Sequence, residues 1–179
     1  QFGITAQGIA PIQSLADGFI VNGHIFDNKT RTQYEHLRRR VEIDGYEAVM
    51  ETASYTWFNR LVALRFMEVH DYLPIRTRIL SSLKANKVEP DAVTEVLQLV
   101  EELSLDKELI YHLQDTHNTN ELFKYIIEKQ GMQLEKMLPN VFSPVEGDFY
   151  LLLSNDLLQD NGIIRDLITL IPEEAWNDI

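Results

Sequence analysis

The residues best suited to acid–base or metal chemistry in this chain are its five histidines, at positions 24, 36, 70, 112 and 117. No two stand three or four positions apart, so a helix cannot bring a pair of imidazoles onto one face to share a metal ion. Each reads as a surface or hydrogen-bonded histidine. The acidic doublets Glu101-Glu102 and Glu173-Glu174 point apart on a helix, so they do not form a catalytic carboxylate pair and read as helix-surface acids. The chain has no cysteine, which removes disulfides and thiolate ligands and fits a reducing compartment. No Gly-rich phosphate loop, G-x-G-x-x-G, H-E-x-x-H or G-x-S-x-G occurs. The residues alone describe a domain without an active site of its own, with no catalytic, cofactor-binding or metal-ligating residue to assign.

The charged residues carry more information. Within SYTWFNRLVALRFMEVHDYLP, Ser54 to Pro74, the charges Arg60, Arg65 and Glu68 are set among nine apolar side chains between Trp57 and His70. At 100° per residue Arg65 falls between Phe58 and Leu61, and Glu68 lies three residues on, where the two can pair. A lone charge on such a face would cost several kcal/mol, so Arg65 and Glu68 are expected to form a structural ion pair rather than a ligand site. Net charge is −12, divided unevenly: residues 1–90 hold 11 Lys/Arg against 10 Asp/Glu, and residues 91–179 hold 5 against 18. An acidic chain gains little from phosphate electrostatics, so this one by itself is expected to bind DNA weakly. Any anion contact belongs in the first half, where Arg38, Arg39 and Arg40, with Arg76 and Arg78, are the basic clusters and the candidate DNA-contacting residues. The competing reading of each is a solvated charge.

These residues need elements to position them. Gly18 to Asp27, GFIVNGHIFD, places two β-type runs around Asn22-Gly23, the pair that supplies the two positive φ values of a type I′ turn, and so predicts a hairpin over 18–27. Thr30 is the expected cap of a helix that buries Tyr34, Leu37 and Val41. Asp44-Gly-Tyr-Glu47 resembles a capping box and leads, with a break near Ser54, into a central helix of about 54–72 contacted from several sides. Pro74 to Pro90 reads as a polar connector, and Pro90-Asp91 starts a helix through Val93, Val96, Leu97 and Val100. Helices are predicted at Lys107 to Gln114, at Asn120 to Met137, where Gly131 weakens the case for one unbroken helix, and at Gly162 to Leu170. Phe149 to Leu158 is a short apolar element. Ile171-Pro-Glu-Glu-Ala-Trp176 has the order that starts a helix, which the end at Ile179 cuts at its first turn, and the start at Gln1 points to a partial or processed chain. The fold class expected is mainly α, a multi-helix domain over 1–179 with one small β-hairpin near the N-terminus. With 45% hydrophobic residues, no signal-like opening and no apolar run of about 18 residues, the chain reads as soluble and cytoplasmic, with no membrane partner.

SYTWFNRLVALRFMEVHDYLP, preceded by Asp44-Gly-Tyr-Glu-Ala-Val-Met-Glu51, resembles the N-terminal region of adenine-specific DNA methyltransferases of BREX phage-defence systems, the PglX-like family. The hairpin before it, ELFKYIIEKQ from Glu121 to Gln130 followed by MLPNVF, and Ile164-Arg-Asp-Leu-Ile168 leading to Ile171-Pro-Glu-Glu-Ala-Trp176 agree in order. What the resemblance implies is a parent enzyme that transfers a methyl group from S-adenosylmethionine to adenine N6 in double-stranded DNA, holding a flipped base. The family's F-x-G-x-G and N/D-P-P-Y/F motifs are missing here, so no cofactor is expected in this chain. The resemblance implies the helical N-terminal domain, a methyltransferase catalytic domain downstream in the same polypeptide as its partner, double-stranded DNA reached through the parent enzyme, and other BREX proteins as further partners. By analogy with type I modification subunits, such a domain packs on the catalytic core and helps to close around DNA. The alternative is a stand-alone helical protein-interaction module with no DNA role, which the acidic second half favours.

Overall fold

The computed structural model describes residues 2–84, 87–142 and 147–177. It is mainly helical, with a small antiparallel strand region at the N-terminus. The chain divides into two compact units, Gln1–Phe58 with Pro144–Leu152, and Asn59–Ser143 with Leu153–Ile179.

In the first unit, β1 (Ile4–Thr5) pairs with β2 (Gly8–Ile9), and β3 (Ile12–Leu15), β4 (Gly18–Val21) and β5 (His24–Asp27) form an antiparallel meander with β4 in the centre. The hairpin turn is built as the Asn-Gly pair dictates: Asn22 has φ 49° and Gly23 φ 79°, both in the left-handed region where a β-branched residue would be strained. The strands before it, β1 to β3, are an addition to what the sequence suggested. Side chains alternate across the sheet, so Phe19 and Val21 are buried while Ile25 is 73% exposed. Phe19, Val21 and Tyr34 form a core that Phe2 and Phe26 extend, with Phe19 and Phe26 rings stacked 5.3 Å apart. Gly18 is needed where β4 meets β5, because a Cβ there would stand 2.1 Å from the Phe26 carbonyl oxygen.

Asp27, rather than Thr30, caps α1 (Asn28–Asp44): its carboxylate accepts the Thr30 N–H at 2.8 Å. The helix closes at Gly45, with φ 87° and its N–H on the Val41 carbonyl, and α2 (Tyr46–Val69) starts at the next residue. It runs 24 residues without the expected break at Ser54, whose hydroxyl donates back to the Met50 carbonyl at 2.7 Å. Its surface is not covered all round, since Tyr55 and Phe58 are 63% and 61% exposed. Leu37 and Val41 of α1, Val49 and Ala53 of α2, and Phe149 from the 3-10 helix Gly147–Leu152 make a second core. Trp57 donates its indole N–H to the Phe149 carbonyl at 2.9 Å, and its ring meets Tyr150 edge-on. One tryptophan is thereby anchored at both its apolar body and its polar tip.

The second unit takes the rest of α2, then α3 (Asp91–Thr94), a 3-10 helix Val96–Leu99, α4 (Lys107–Asp115), α5 (Thr119–Leu134), α6 (Pro139–Phe142), α7 (Ile163–Leu170) and a 3-10 turn Glu173–Trp176. Three expectations are corrected. The stretch after Pro74 is not a polar connector, because Ile75, Ile79 and Leu80 are almost wholly buried; an irregular backbone has no periodicity to betray that. The helix expected from Pro90 to Val100 is α-helical for one turn only, after which the chain tightens to 3-10. The segment from Pro172 forms a 3-10 turn that buries Trp176. By contrast α5 passes unbroken through Gly131, which is buried with Leu134.

Candidate functional site

Charge organises the interior of the second unit. Arg65, on α2, is 1% exposed. Its Nη1 donates to Glu68 Oε1 at 2.6 Å and to Ser81 Oγ at 3.0 Å, and its Nη2 donates to Glu173 Oε1 at 3.1 Å. Glu68 is equally buried and receives the Ser81 hydroxyl at 2.9 Å and the Leu80 backbone N–H at 2.9 Å. The three-residue spacing alone would have sufficed for a surface pair; here the pair also fastens the irregular segment after Pro74 to the helix, supplying hydrogen bonds that segment cannot find in a ladder.

Arg78 extends the network. It grips both carboxylate oxygens of Glu173 and reaches Ser81 Oγ at 3.3 Å. Burial alone would lower the pKa of Arg78, but the Glu173 carboxylate outweighs it and the guanidinium is held above its usual value. Reciprocally, the hydrogen bond from Arg78 sets Glu173 below the ordinary glutamate value despite partial burial. Glu173 is thus a partner of two arginines, 95 and 108 positions away in sequence, and not the idle surface acid that its doublet with Glu174 suggests. Sequence spacing offered Arg65 its neighbour Glu68 as partner, and none pointed to Glu173. Nearby, burial would raise the Asp91 pKa, yet the Ser82 hydroxyl, the Leu83 N–H and Lys87 together hold it below its usual value.

The candidate DNA-contacting arginines fall in different surroundings. Arg38 pairs with Glu42 at 2.9 Å along α1, with both side chains well exposed. Arg39 is exposed, and Arg40 lies over the Phe149 ring at 4.6 Å. These three belong to the first unit and Arg76 and Arg78 to the second. Arg76 is exposed, whereas Arg78 is spent on Glu173 and reads as structural. Arg60, the third charge of the apolar run, is buried and donates to the Val141 carbonyl at 3.3 Å, its guanidinium 5.9 Å from the Phe142 ring.

A feature not anticipated from the sequence lies at the end of α2. Phe66, His70 and Tyr72 form a ladder of rings, with centroids 4.2 Å apart for Phe66 and His70 and 5.4 Å for His70 and Tyr72, the latter pair stacked at 25°. The Phe66 carbonyl can only accept, so His70 Nδ1, 2.9 Å away, carries the proton between them and the ring is fixed. Tyr72 tops the ladder, 57% exposed. The four-residue spacing of Phe66 and His70 was the available signal. Glu68 of α2, with Asp71 and Leu73 to Arg78 of the loop that follows, walls a cavity of about 490 Å³.

No group of three or more metal-ligating side chains occurs among the described residues, and no helix among them is long and apolar enough to cross a membrane. The residues do not fit S-adenosylmethionine: the strands among the described residues are all antiparallel, whereas dinucleotide-type loops open from a parallel strand onto a helix. Gly18, Gly23 and Gly45 serve a close strand contact, a hairpin turn and a helix end.

No family model matches the chain. It is 33% identical over 156 residues to the adenine-specific methyltransferase BrxX of Escherichia coli O9:H4 (strain HS), a match taking in 84% of this chain and 12% of the relative. It is 30% identical over 196 residues to the adenine-specific methyltransferase PglX of Lacticaseibacillus casei (strain Zhang), covering 98% of this chain and 16% of the relative. The chain therefore spans less than a fifth of the length of these curated relatives. Both relatives bear out the resemblance read from the helix-rich motifs.

Proposed function

We propose, from a chain similar over most of its length to PglX-like adenine-specific methyltransferases, that it is the helical N-terminal domain of such an enzyme, in a phage-defence system. In this reading the parent enzyme methylates adenine N6 in double-stranded DNA with S-adenosylmethionine, in the cytoplasm, and the catalytic domain follows in the same polypeptide. The present chain contributes no cofactor or base-holding residue. It supports the catalytic core and engages DNA, with Arg38, Arg39 and Arg40 and the exposed Arg76 as backbone contacts, while other BREX proteins are further partners. The observation that supports this most is the extent of the match, 98% of this chain against 16% of a much longer methyltransferase, together with the lack of the catalytic motifs in the chain itself.

The alternative, a stand-alone protein-interaction module, draws on the 18 acids against 5 bases of residues 91–179. The two separate in one experiment. The complete reading frame, with and without residues 1–179, is expressed in a methylation-free host and its DNA is assayed for N6-methyladenine. Loss of the modified base on deletion is expected; undiminished methylation sinks the proposal. The isolated chain is expected to show no heat of binding with S-adenosylmethionine.

A further inference from the structure

The network around Arg65 leaves one donor over. Its Nη atoms are taken by Glu68, Ser81 and Glu173, but its Nε–H, buried with the rest of the side chain, meets no acceptor among the described residues. A buried N–H of a charged group without a partner is a costly feature for a fold to carry. Arg65 also lines a cavity of about 250 Å³ whose residues all belong to the second unit. An acceptor that enters this cavity therefore meets a side chain with a hydrogen bond still to make.

The lining of the cavity is of two kinds. Leu80, Ile164 and Ile168 supply apolar surface, with Leu80 and Ile164 almost wholly buried. Three cations, Arg65, Lys87 and Arg165, stand against one carboxylate, that of Glu173, and both oxygens of Glu173 are already held by Arg78. Lys87 is committed to Asp91 and Thr94. Arg165 of α7 is less engaged: its partner Asp160 is 3.5 Å away and 90% exposed, a pair that water replaces at little cost. Arg165 is thus the cation able to change partners. Its place here owes nothing to a general excess of positive charge, because residues 91–179 hold only 5 bases against 18 acids.

Cationic groups beside aliphatic side chains call for a ligand that is anionic at one end and apolar at the other. The space is small, below the roughly 300–1,000 Å³ of sites for drug-sized ligands. We propose that this cavity is a site for a small monocarboxylic acid with a short apolar chain, its carboxylate on Arg165 and the Arg65 Nε–H and its chain against Leu80, Ile164 and Ile168. The acid joins α7 to the segment after Pro74 and satisfies the donor that the fold leaves over. This site goes beyond the methyltransferase reading and does not depend on it.

The test titrates the isotope-labelled 179-residue chain with isocaproate at neutral pH and follows it by heteronuclear NMR. Saturable shifts are expected at the backbone amides of Leu80 to Ser82 and of Ile164 to Thr169 and at the Arg65 Nε–H, with a dissociation constant of about 1 mM for a ligand of so few atoms. Isocaproamide keeps the chain and loses the charge, and inorganic phosphate keeps a charge and loses the chain; each should bind at least about tenfold more weakly. Arg165→Gln should weaken isocaproate by about tenfold and leave isocaproamide unchanged. Thr169→Trp, at an exposed position in the lining, should close the cavity to both. Neither Arg165 nor Thr169 is buried, so melting curves of both variants should stay near that of the parent chain. Equal affinity for isocaproate and isocaproamide, isocaproate binding undiminished in Arg165→Gln, or no saturable shift at these residues overturns the proposal. None of these results bears on the methylation assay above, so the two readings fail separately.

Discussion

The two units of the chain use arginine in opposite ways. In the first, Arg38 meets Glu42 with both side chains well exposed, Arg40 spreads over the Phe149 ring, and the half-buried Arg31 donates to Ser14 Oγ and the Gly18 carbonyl. The flat guanidinium covers apolar surface at little desolvation cost. In the second unit Arg65 is withdrawn from water and bound by Glu68, Ser81 and Glu173. The residue is the same, but the energy at stake is not. A charge near solvent loses little when its partner is removed, because water takes over, whereas a buried charge has no substitute. The difference identifies which arginines hold the fold and which remain available to a ligand.

The comparison can be broken most forcefully at Arg65. Arg65→Leu should strand the Glu68 carboxylate in the core and lower the unfolding free energy by about 3–5 kcal/mol. Adding Glu68→Leu should return part of that loss, because two apolar side chains leave no buried charge. Urea denaturation of both variants measures it, and an unchanged midpoint in the single variant would mean that Glu68 is satisfied without Arg65. A smaller effect is expected at the entrance to α1, where Asp27→Ala removes the cap on Thr30 and should cost about 1 kcal/mol.

The link between Glu173 and its two arginines predicts a dependence on pH. Its folded-state pKa lies below the ordinary 4.5. Above that value the carboxylate is charged in both states and its contribution is complete; as the pH falls through the lower, folded-state value the carboxylate protonates and the contribution is lost. Asp91, held below its usual 3.8, follows the same sense. Glu173→Gln should therefore be less stable at neutral pH, by about 1 kcal/mol or less because the side chain is 44% exposed, and should lose less on acidification than the parent chain. Melting temperatures from pH 7 to 3 read the difference directly. Finally, replacing Arg38, Arg39 and Arg40 together by Gln should change stability least of all, within about 0.5 kcal/mol for the Arg38–Glu42 pair. In the complete enzyme it should weaken binding to all DNA sequences alike and flatten the salt slope. An unaltered salt slope would leave them as surface charge.

Much of the fold is legible locally. Asn22-Gly23 specifies its turn within two residues, the Tyr34, Leu37 and Val41 spacing marks the buried face of α1, and the apolar side of α5 is readable through Gly131. The candidate site is legible only in part. That Arg65 requires an acid follows from its place on an apolar helix, and Glu68 lies one turn on. That Glu173 completes the set does not follow, because no spacing connects residues about a hundred positions apart. Asp27 outcompeted Thr30 as the cap because its carboxylate stands at the end of β5, already aimed at the first free N–H groups. The strands before Gly18 carry no Asn-Gly turn between two β-type runs, the signal that marks β4 and β5 at the same length.

By itself the sequence determined the composition class, the mainly helical content, the lack of catalytic and cofactor motifs, and the kinship with adenine-specific methyltransferases, because each depends on residue type and short-range order. Tertiary structure decided which charges are structural. It buried Ile75, Ile79 and Leu80 in a segment with no pattern, and closed Glu173 onto Arg65 and Arg78. Those outcomes turn on desolvation, a property of the space around a side chain, and that space exists only once distant parts of the chain have packed together.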